Sequence, residues 1–313
     1  VTVRDRSDGK HAPIGIGDIR AKLLLVVLCL IWGVSWPVMK IALEDIPPLS
    51  MRTMSAGFGA VTLLVICLVT RRPLRIPNAK VFGHVLIFSL LNVVGFSLFS
   101  AFAQMAAATS RVAILAYTMP IWTVLLAWVV LRERPNPNQA LAVVLCALGL
   151  AVLVYPLAST GVPLGLVLAV ASGLSWAAGT VYVKWAPLQL DYLAMACWQV
   201  TIAFFVIAAC LFAFDGRLNL DHASAGSLWA TAFTGIAGSG IAYAMWFGIV
   251  RRLPAATASL GILGIPVVGV LSTVVILGER PTIADMVGFA LIFAASACVL
   301  LAPVSDAKKA AGT

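Results

Sequence analysis

Charge is what this chain has least of. Asp, Glu, Lys and Arg make up 11% of its 313 residues, while 62% are hydrophobic. A soluble domain typically carries about 25% charged residues. A water-soluble fold is therefore excluded, although length alone would suggest two soluble domains. Acids are the scarcer sign, 12 in all. They leave charge-free stretches at 23–39, 53–70, 85–110, 112–131, 192–214, 223–250 and 253–278. A further uncharged run over 135–183 is broken near Pro156 and Pro163.

Other absences narrow the function. No Asp, Glu or His stands near the middle of an apolar stretch. Intramembrane proton relays and cation pockets depend on such groups, so proton-driven export of permanent cations is disfavoured. The only histidines are His11, His84 and His222, and no nucleophile–base pair or metal constellation is visible, so neither an enzyme nor a cofactor or metal is expected. The six cysteines sit singly in apolar stretches without metal or redox spacing and read as small packing residues. The net charge of +9 comes with no basic run interleaved with aromatics, so no nucleic-acid partner is expected. The segment before about Arg20 lacks a cleavable signal pattern, so the first apolar stretch is expected to be retained. Period-two alternation is missing as well, which excludes a transmembrane barrel. The glycine-rich stretches 235–240 and 261–269 follow no strand and read as close helix contacts rather than a phosphate loop.

What is present is apolar length; mean hydropathy is +1.04. A helix needs about 20 apolar residues to cross a hydrocarbon core of roughly 30 Å. Inside lipid every backbone N–H and C=O must be paired within the segment, so such segments must be helical. The expected fold class is an all-α integral membrane protein with ten transmembrane helices. They are read at 21–43, 48–70, 81–106, 110–132, 137–156, 163–186, 190–214, 226–250, 254–278 and 282–303. Lys40, Arg52, Arg111, Arg217 and Arg280 fall on one side, and the other sixteen of the 21 Lys and Arg on the other. The positive-inside rule then puts both termini in the cytoplasm.

The two halves resemble each other. Trp32 and Lys40 recur 144 residues later as Trp176 and Lys184. Pro120 precedes Glu133-Arg134-Pro135 by the interval at which Pro266 precedes Glu279-Arg280-Pro281, a displacement of 146 residues. Each half holds five helices, and an odd number forces the second copy to enter the membrane inverted. Two inverted five-helix repeats, 21–156 and 163–303, are thus expected between a cytoplasmic segment (1–20) and a cytoplasmic tail (304–313). Inverted repeats are common in secondary transporters, because the halves can exchange conformations and open a midplane site to alternate sides.

These residues resemble a known family. Trp32-Gly-Val-Ser-Trp36 with Lys40, Arg52 early in the second span, and proline-containing fourth and ninth spans followed by Glu-Arg-Pro are similar to the ten-helix EamA branch of the drug/metabolite transporter superfamily. The resemblance covers about 22–303 and is nearest to the YddG-type exporters of aromatic and other neutral amino acids. It implies a bacterial inner-membrane protein with a central cavity lined by helices 1, 3, 4, 6, 8 and 9, and with helices 5 and 10 at the periphery.

Candidate cavity residues follow from helical spacing. Trp32, Ser35, Trp36, Met39 and Lys40 share one face of the first helix. Ser172, Trp176, Thr180 and Lys184 repeat a thinner version in the sixth. Flat aromatic surface with a few hydroxyls suits a small amphipathic solute; the alternative is helix packing or an interfacial belt. Asn92 carries an amide within a span, so it either bonds a neighbouring helix or faces water. Phe96 and Phe99 beside it, Tyr117 in the fourth helix, and Ser239, Tyr243 and Trp246 in the eighth complete the candidate lining. Pro120 and Pro266 each remove a backbone donor and are candidate hinges with carbonyls exposed to solute; static bends are the alternative. Lys40 and Lys184 are gate candidates, or simply snorkel to the interface. Arg52, with Glu44 and Asp45 close by in sequence, is open in the same way. Glu133 and Glu279 are read as capping helix connections or pairing with adjacent arginines.

The function expected is export of a small amphipathic metabolite, neutral or aromatic amino acids first, by alternating access without a buried carboxylate relay. Export of other metabolites or drugs, and a non-transporting scaffold or receptor, stay open as alternatives. The expected partners are the lipid bilayer and a small-molecule substrate, and a monomer is compatible with the design.

Overall fold

With no water to pair their backbones, the apolar runs satisfy their own N–H and C=O groups as helices. The computed structural model describes residues 16–157, 164–186, 188–250 and 264–300, and among these every regular element is helical. The helices are α1 (Ile16–Asp45), α2 (Pro48–Val69), α3 (Ala79–Ala106), α4 (Thr109–Leu131), α5 (Pro137–Val154), α6 (Leu164–Trp185) and α7 (Tyr192–Phe214). They continue with α8 (225–250), α9 (Gly264–Leu277) and α10 (Ile283–Leu300). Seven, α1 to α7, are long and apolar enough to cross a membrane, and α9 and α10 contain shorter apolar helices. The first part of the expected ninth span, the N-terminal segment before residue 16 and the tail after 300 lie outside the described residues.

Polar residues start the helices where their first N–H groups would otherwise lack partners. Asn78 accepts from Val81 N–H at 3.0 Å to start α3. Asn136 and Gln139 form a reciprocal capping box on α5. Asp191 accepts from Leu193 and Ala194 N–H to start α7, and Ser224 accepts from Ser227 N–H to start α8. Pro48 opens α2, where a missing N–H costs nothing.

Packing pairs the helices in a regular way. α5 lies against α10 and α2 against α7; α1 packs on α8 and α9, while α6 packs on α3 and α4. Lipid offers no hydrophobic drive between helices, so close contact comes from small residues. Gly179 of α6 is one such point: a Cβ there would stand 2.6 Å from that of Asn92 on α3. Outer faces present aliphatic side chains, with Val129 75% and Val275 81% exposed, as a lipid-facing surface requires.

Three features depart from smooth helices. α3 widens into a π-turn at Leu90–Gly95, and α8 does so at Thr234–Ile241. Such turns free carbonyls and gather at functional sites. Here Leu91 C=O accepts from Ser175 Oγ, and Gly238 C=O accepts from the Trp32 indole at 2.9 Å. The third feature corrects the expectation for Pro120. The proline does not kink a continuous helix; α4 breaks at Tyr117–Thr118, and Pro120 sits in the first turn of the new segment Met119–Leu131. Pro266 lies in the helical stretch Gly264–Leu277, and the residues before Gly264 lie outside the described ones. The proline inside a continuous helix is instead Pro37 of α1. It leaves the Gly33 carbonyl without its usual donor, and Ser272 Oγ of α9 reaches that carbonyl at 3.4 Å.

Candidate functional site

The helix pairs leave a cavity of about 600 Å³ lined from α1, α2, α3, α4, α6, α7, α8 and the start of α9. Its wall is aromatic. Trp246 meets Trp32, Trp32 meets Tyr243, Tyr243 meets Trp176, Trp176 meets Phe96, Phe96 meets Trp36 and Trp36 meets Tyr117. Centroid separations run from 5.2 to 6.3 Å, and the Trp36, Phe96 and Tyr117 contacts are edge-on. Edge-to-face contact is the favoured aromatic geometry and holds each ring in place. Seven rings from five helices thus form one continuous chain.

The polar groups in this wall are few and mostly spoken for. Asn92 is buried and donates from Nδ2 to Trp176 C=O at 3.2 Å, tying α3 to α6. Ser35 and Thr180 bond back to the carbonyls of Ile31 and Trp176 one turn earlier, and Ser239 Oγ reaches Thr234 C=O. Arg52 places Nη2 2.7 Å from Ser100 Oγ and against the Met39 sulfur. Arg52 and Lys184 are the charged residues of the lining, and no acid lines it among the described residues.

Of the residues singled out by sequence, Trp32, Ser35, Trp36, Asn92, Phe96, Tyr117, Trp176, Thr180, Ser239, Tyr243, Trp246 and Lys184 all line this cavity. Phe99 does not: it is 37% exposed on the outer face of α3. Pro120 and Pro266 instead line a second, smaller cavity of about 380 Å³ between α4, α6 and α9, shared with Glu133, Gln139 and Ser296. Lys40 lies off the cavity wall, with Nζ donating to Gln104 C=O at 2.9 Å. The sequence reading leaves out α7, yet Met195 and Gln199 line the cavity. Gln199 carried the same signal as Asn92, an amide in the middle of an apolar span.

The two ends of the cavity differ. Beyond Arg52, polar contacts close the bundle: Gln104 Nε2 donates to Trp36 C=O at 3.1 Å, and both Glu279 oxygens accept from the first N–H groups of α4, Thr109 at 2.6 Å and Ser110 at 2.9 Å. Arg111 and Asp285 add a two-bond ion pair at 2.6 and 3.1 Å. At the opposite end the lining reaches Val183, Lys184, Leu188, Leu190 and Tyr192 around the α6–α7 turn, where Lys184 pairs with Glu133 at 2.6 Å in an exposed bridge. Glu279 therefore caps a helix, while Glu133 pairs across helices rather than with its neighbouring arginine.

No cluster of His, Cys, Asp or Glu able to hold a metal occurs among the described residues. The described geometry is that of an aromatic-walled chamber with few polar groups.

Known proteins share this sequence pattern and fold. The sequence pattern of the EamA-like transporter family matches the chain twice, at residues 19–155 and 163–301. The uncharacterized transporter YoaV of Bacillus subtilis (strain 168) is 24% identical over 88% of this chain and 94% of its own length. A "probable amino-acid metabolite efflux pump" of Escherichia coli (strain K12) is 24% identical over 86% and 91%. A solved crystal structure with 23% identity superposes with a TM-score of 0.62, covering 90% of this chain and 98% of that one, and so shares the fold. The chain belongs to the EamA-like transporter family: it is an integral membrane transporter, not an enzyme.

Proposed function

We propose that the protein exports small amphipathic metabolites, neutral and aromatic amino acids foremost, through the aromatic cavity by alternating access. The observation that carries this reading is the continuous chain of seven rings around about 600 Å³. That volume lies within the roughly 300–1,000 Å³ of small-molecule sites. Two relatives named probable amino-acid metabolite efflux pumps, each 24% identical, support an amino-acid metabolite as the cargo.

The proposed architecture is ten membrane-crossing helices in two inverted five-helix halves, with both termini on the cytoplasmic side of a bacterial inner membrane. Three observations support it. The family pattern matches twice in tandem. The π-turns begin at Leu90 and Thr234, the same 144 residues apart as Trp32 and Trp176. Exchanging the halves turns α1 on α8 and α9 into α6 on α3 and α4, and leaves α2·α7 and α5·α10 as pairs.

On this reading the polar seal of Glu279 and Arg111 faces outward, and the α6–α7 end faces the cytoplasm. Transport then requires the Glu279 seal to open while the Lys184 end closes. With no acid in the lining among the described residues, the proposed cycle uses no carboxylate relay in the cavity. The test is uptake of labelled amino acids, sugars and amines by proteoliposomes, with and without an imposed pH gradient. The expected result is uptake of phenylalanine above the empty-vesicle rate without a gradient. Flux at the empty-vesicle rate for every solute would favour a scaffold, and strict dependence on the gradient would overturn the uncoupled cycle.

A further inference from the structure

The aromatic chamber ends on a cation with no counter-ion among the described residues. Arg52 lines the cavity near the start of α2. Its guanidinium touches only neutral groups, Ser100 Oγ and the Met39 sulfur, and its Nε is sealed from solvent with no partner among the described residues. The acids nearest in sequence are committed elsewhere. Asp45 accepts from Ser224 N–H and Ser227 Oγ, and Glu44 is exposed at the end of α1. The other cation of the lining, Lys184, is already neutralised by Glu133. Arg72, Arg111 and Arg217 each hold an aspartate.

A charge removed from water without a partner is costly, and proteins tolerate it where something else completes the pair. A guanidinium is also the group best shaped to take a carboxylate, through two parallel N–H···O bonds. The chamber offers nothing equivalent to an ammonium. No carboxylate lines it among the described residues, so a solute's amine meets ring faces and neutral oxygens, such as the hydroxyls of Ser97 and Ser239 and the amide of Gln199, but no opposite charge. One uncompensated positive charge matches one negative charge.

We propose that Arg52 is the anion anchor of the cavity, and that the transported class is small apolar monocarboxylates in which an α-ammonium is dispensable. An amino acid is then accepted for its carboxylate and its apolar body. Its deaminated hydroxy-acid counterpart is accepted equally, and the amine lacking the carboxylate is refused. The proposal rests on the cavity being the transport site, as argued above.

The experiment uses the full chain in liposomes and measures inhibition of labelled phenylalanine uptake by phenyllactate and by phenethylamine. Phenyllactate is expected to inhibit within about threefold of unlabelled phenylalanine, and phenethylamine to be at least about tenfold weaker. Arg52→Gln is expected to cut phenylalanine uptake about tenfold or more and to erase the difference between the two inhibitors, while Arg52→Lys keeps part of both. Equal inhibition by phenethylamine in the wild type would overturn the proposal, as would an Arg52→Gln protein that still discriminates. If Arg52→Gln fails to fold, the wild-type comparison decides alone. If phenylalanine is not transported at all, the transport reading fails. Quenching of tryptophan fluorescence by phenyllactate but not phenethylamine would still uphold the anchor, and quenching by both or by neither would reject it.

Discussion

At the scale of single residues, facing direction decides which side chains serve the cavity. Successive helical residues turn by 100°, so Phe96, Ser97, Ser100 and Val93 share one arc of α3, and Phe99 falls outside it. All four line the cavity, while Phe99 looks outward. Phe99 stands beside Phe96 as a candidate because both lie in the helix that carries Asn92, and sharing a helix does not fix which face a ring takes. The face of α1 was readable for the opposite reason: Trp32, Ser35, Trp36 and Met39 fill a single stripe. Gly179 marks where two helices come too close for any side chain. Gly179→Ala places a Cβ 2.6 Å from that of Asn92 and is expected to cost about 1–3 kcal/mol through overpacking. A thermal melt of the purified protein checks this; an unchanged melting temperature would mean that α3 and α6 are not held in this contact.

At the scale of helices, apolar length made the elements legible, while their caps and internal breaks went unread. Asn78, Asn136, Asp191 and Ser224 all precede apolar runs, and each caps one. The π-turns of α3 and α8 left no trace, because an extra residue in a uniformly apolar run changes no pattern. Pro120 misled in a specific way. A proline signals a lost donor, which a kinked interior and a fresh helix start accommodate equally well. The partner of Glu279 was also out of reach, since Thr109 and Ser110 lie 170 and 169 residues away in sequence. That contact gives a prediction for the seal. A carboxylate at a helix N-terminus accepts charge-assisted bonds that an amide makes only in part. On the proposed orientation and cycle, Glu279→Gln is expected to weaken the closed outer face by about 1–2 kcal/mol, shifting the balance of states roughly tenfold. Labelling of a Ser100→Cys probe by an impermeant thiol reagent added outside should rise accordingly. Unaltered labelling would show that Glu279 is not part of the outer gate.

At the scale of the whole molecule, the recurrence of Trp and Lys 144 residues apart, and of Pro and Glu 146 apart, was the most informative feature of the sequence. The proposed paired halves rest on it in the sequence, and the family pattern matches once in each. Spacing along the chain could not say that Trp32 and Trp176 would both touch Tyr243, because that contact depends on how the helices of one half lie against the other. The central claim is that solute passes between the halves, over the rings they share. Trp32→Ala together with Trp176→Ala removes one ring from each half without altering any charge. Phenylalanine flux in proteoliposomes, normalised to folded protein, measures the consequence directly. Loss of two desolvated aromatic contacts, each worth about 1 kcal/mol or more, predicts a fall of at least roughly tenfold. Flux equal to that of the unaltered protein would place the permeation path elsewhere and contradict the account.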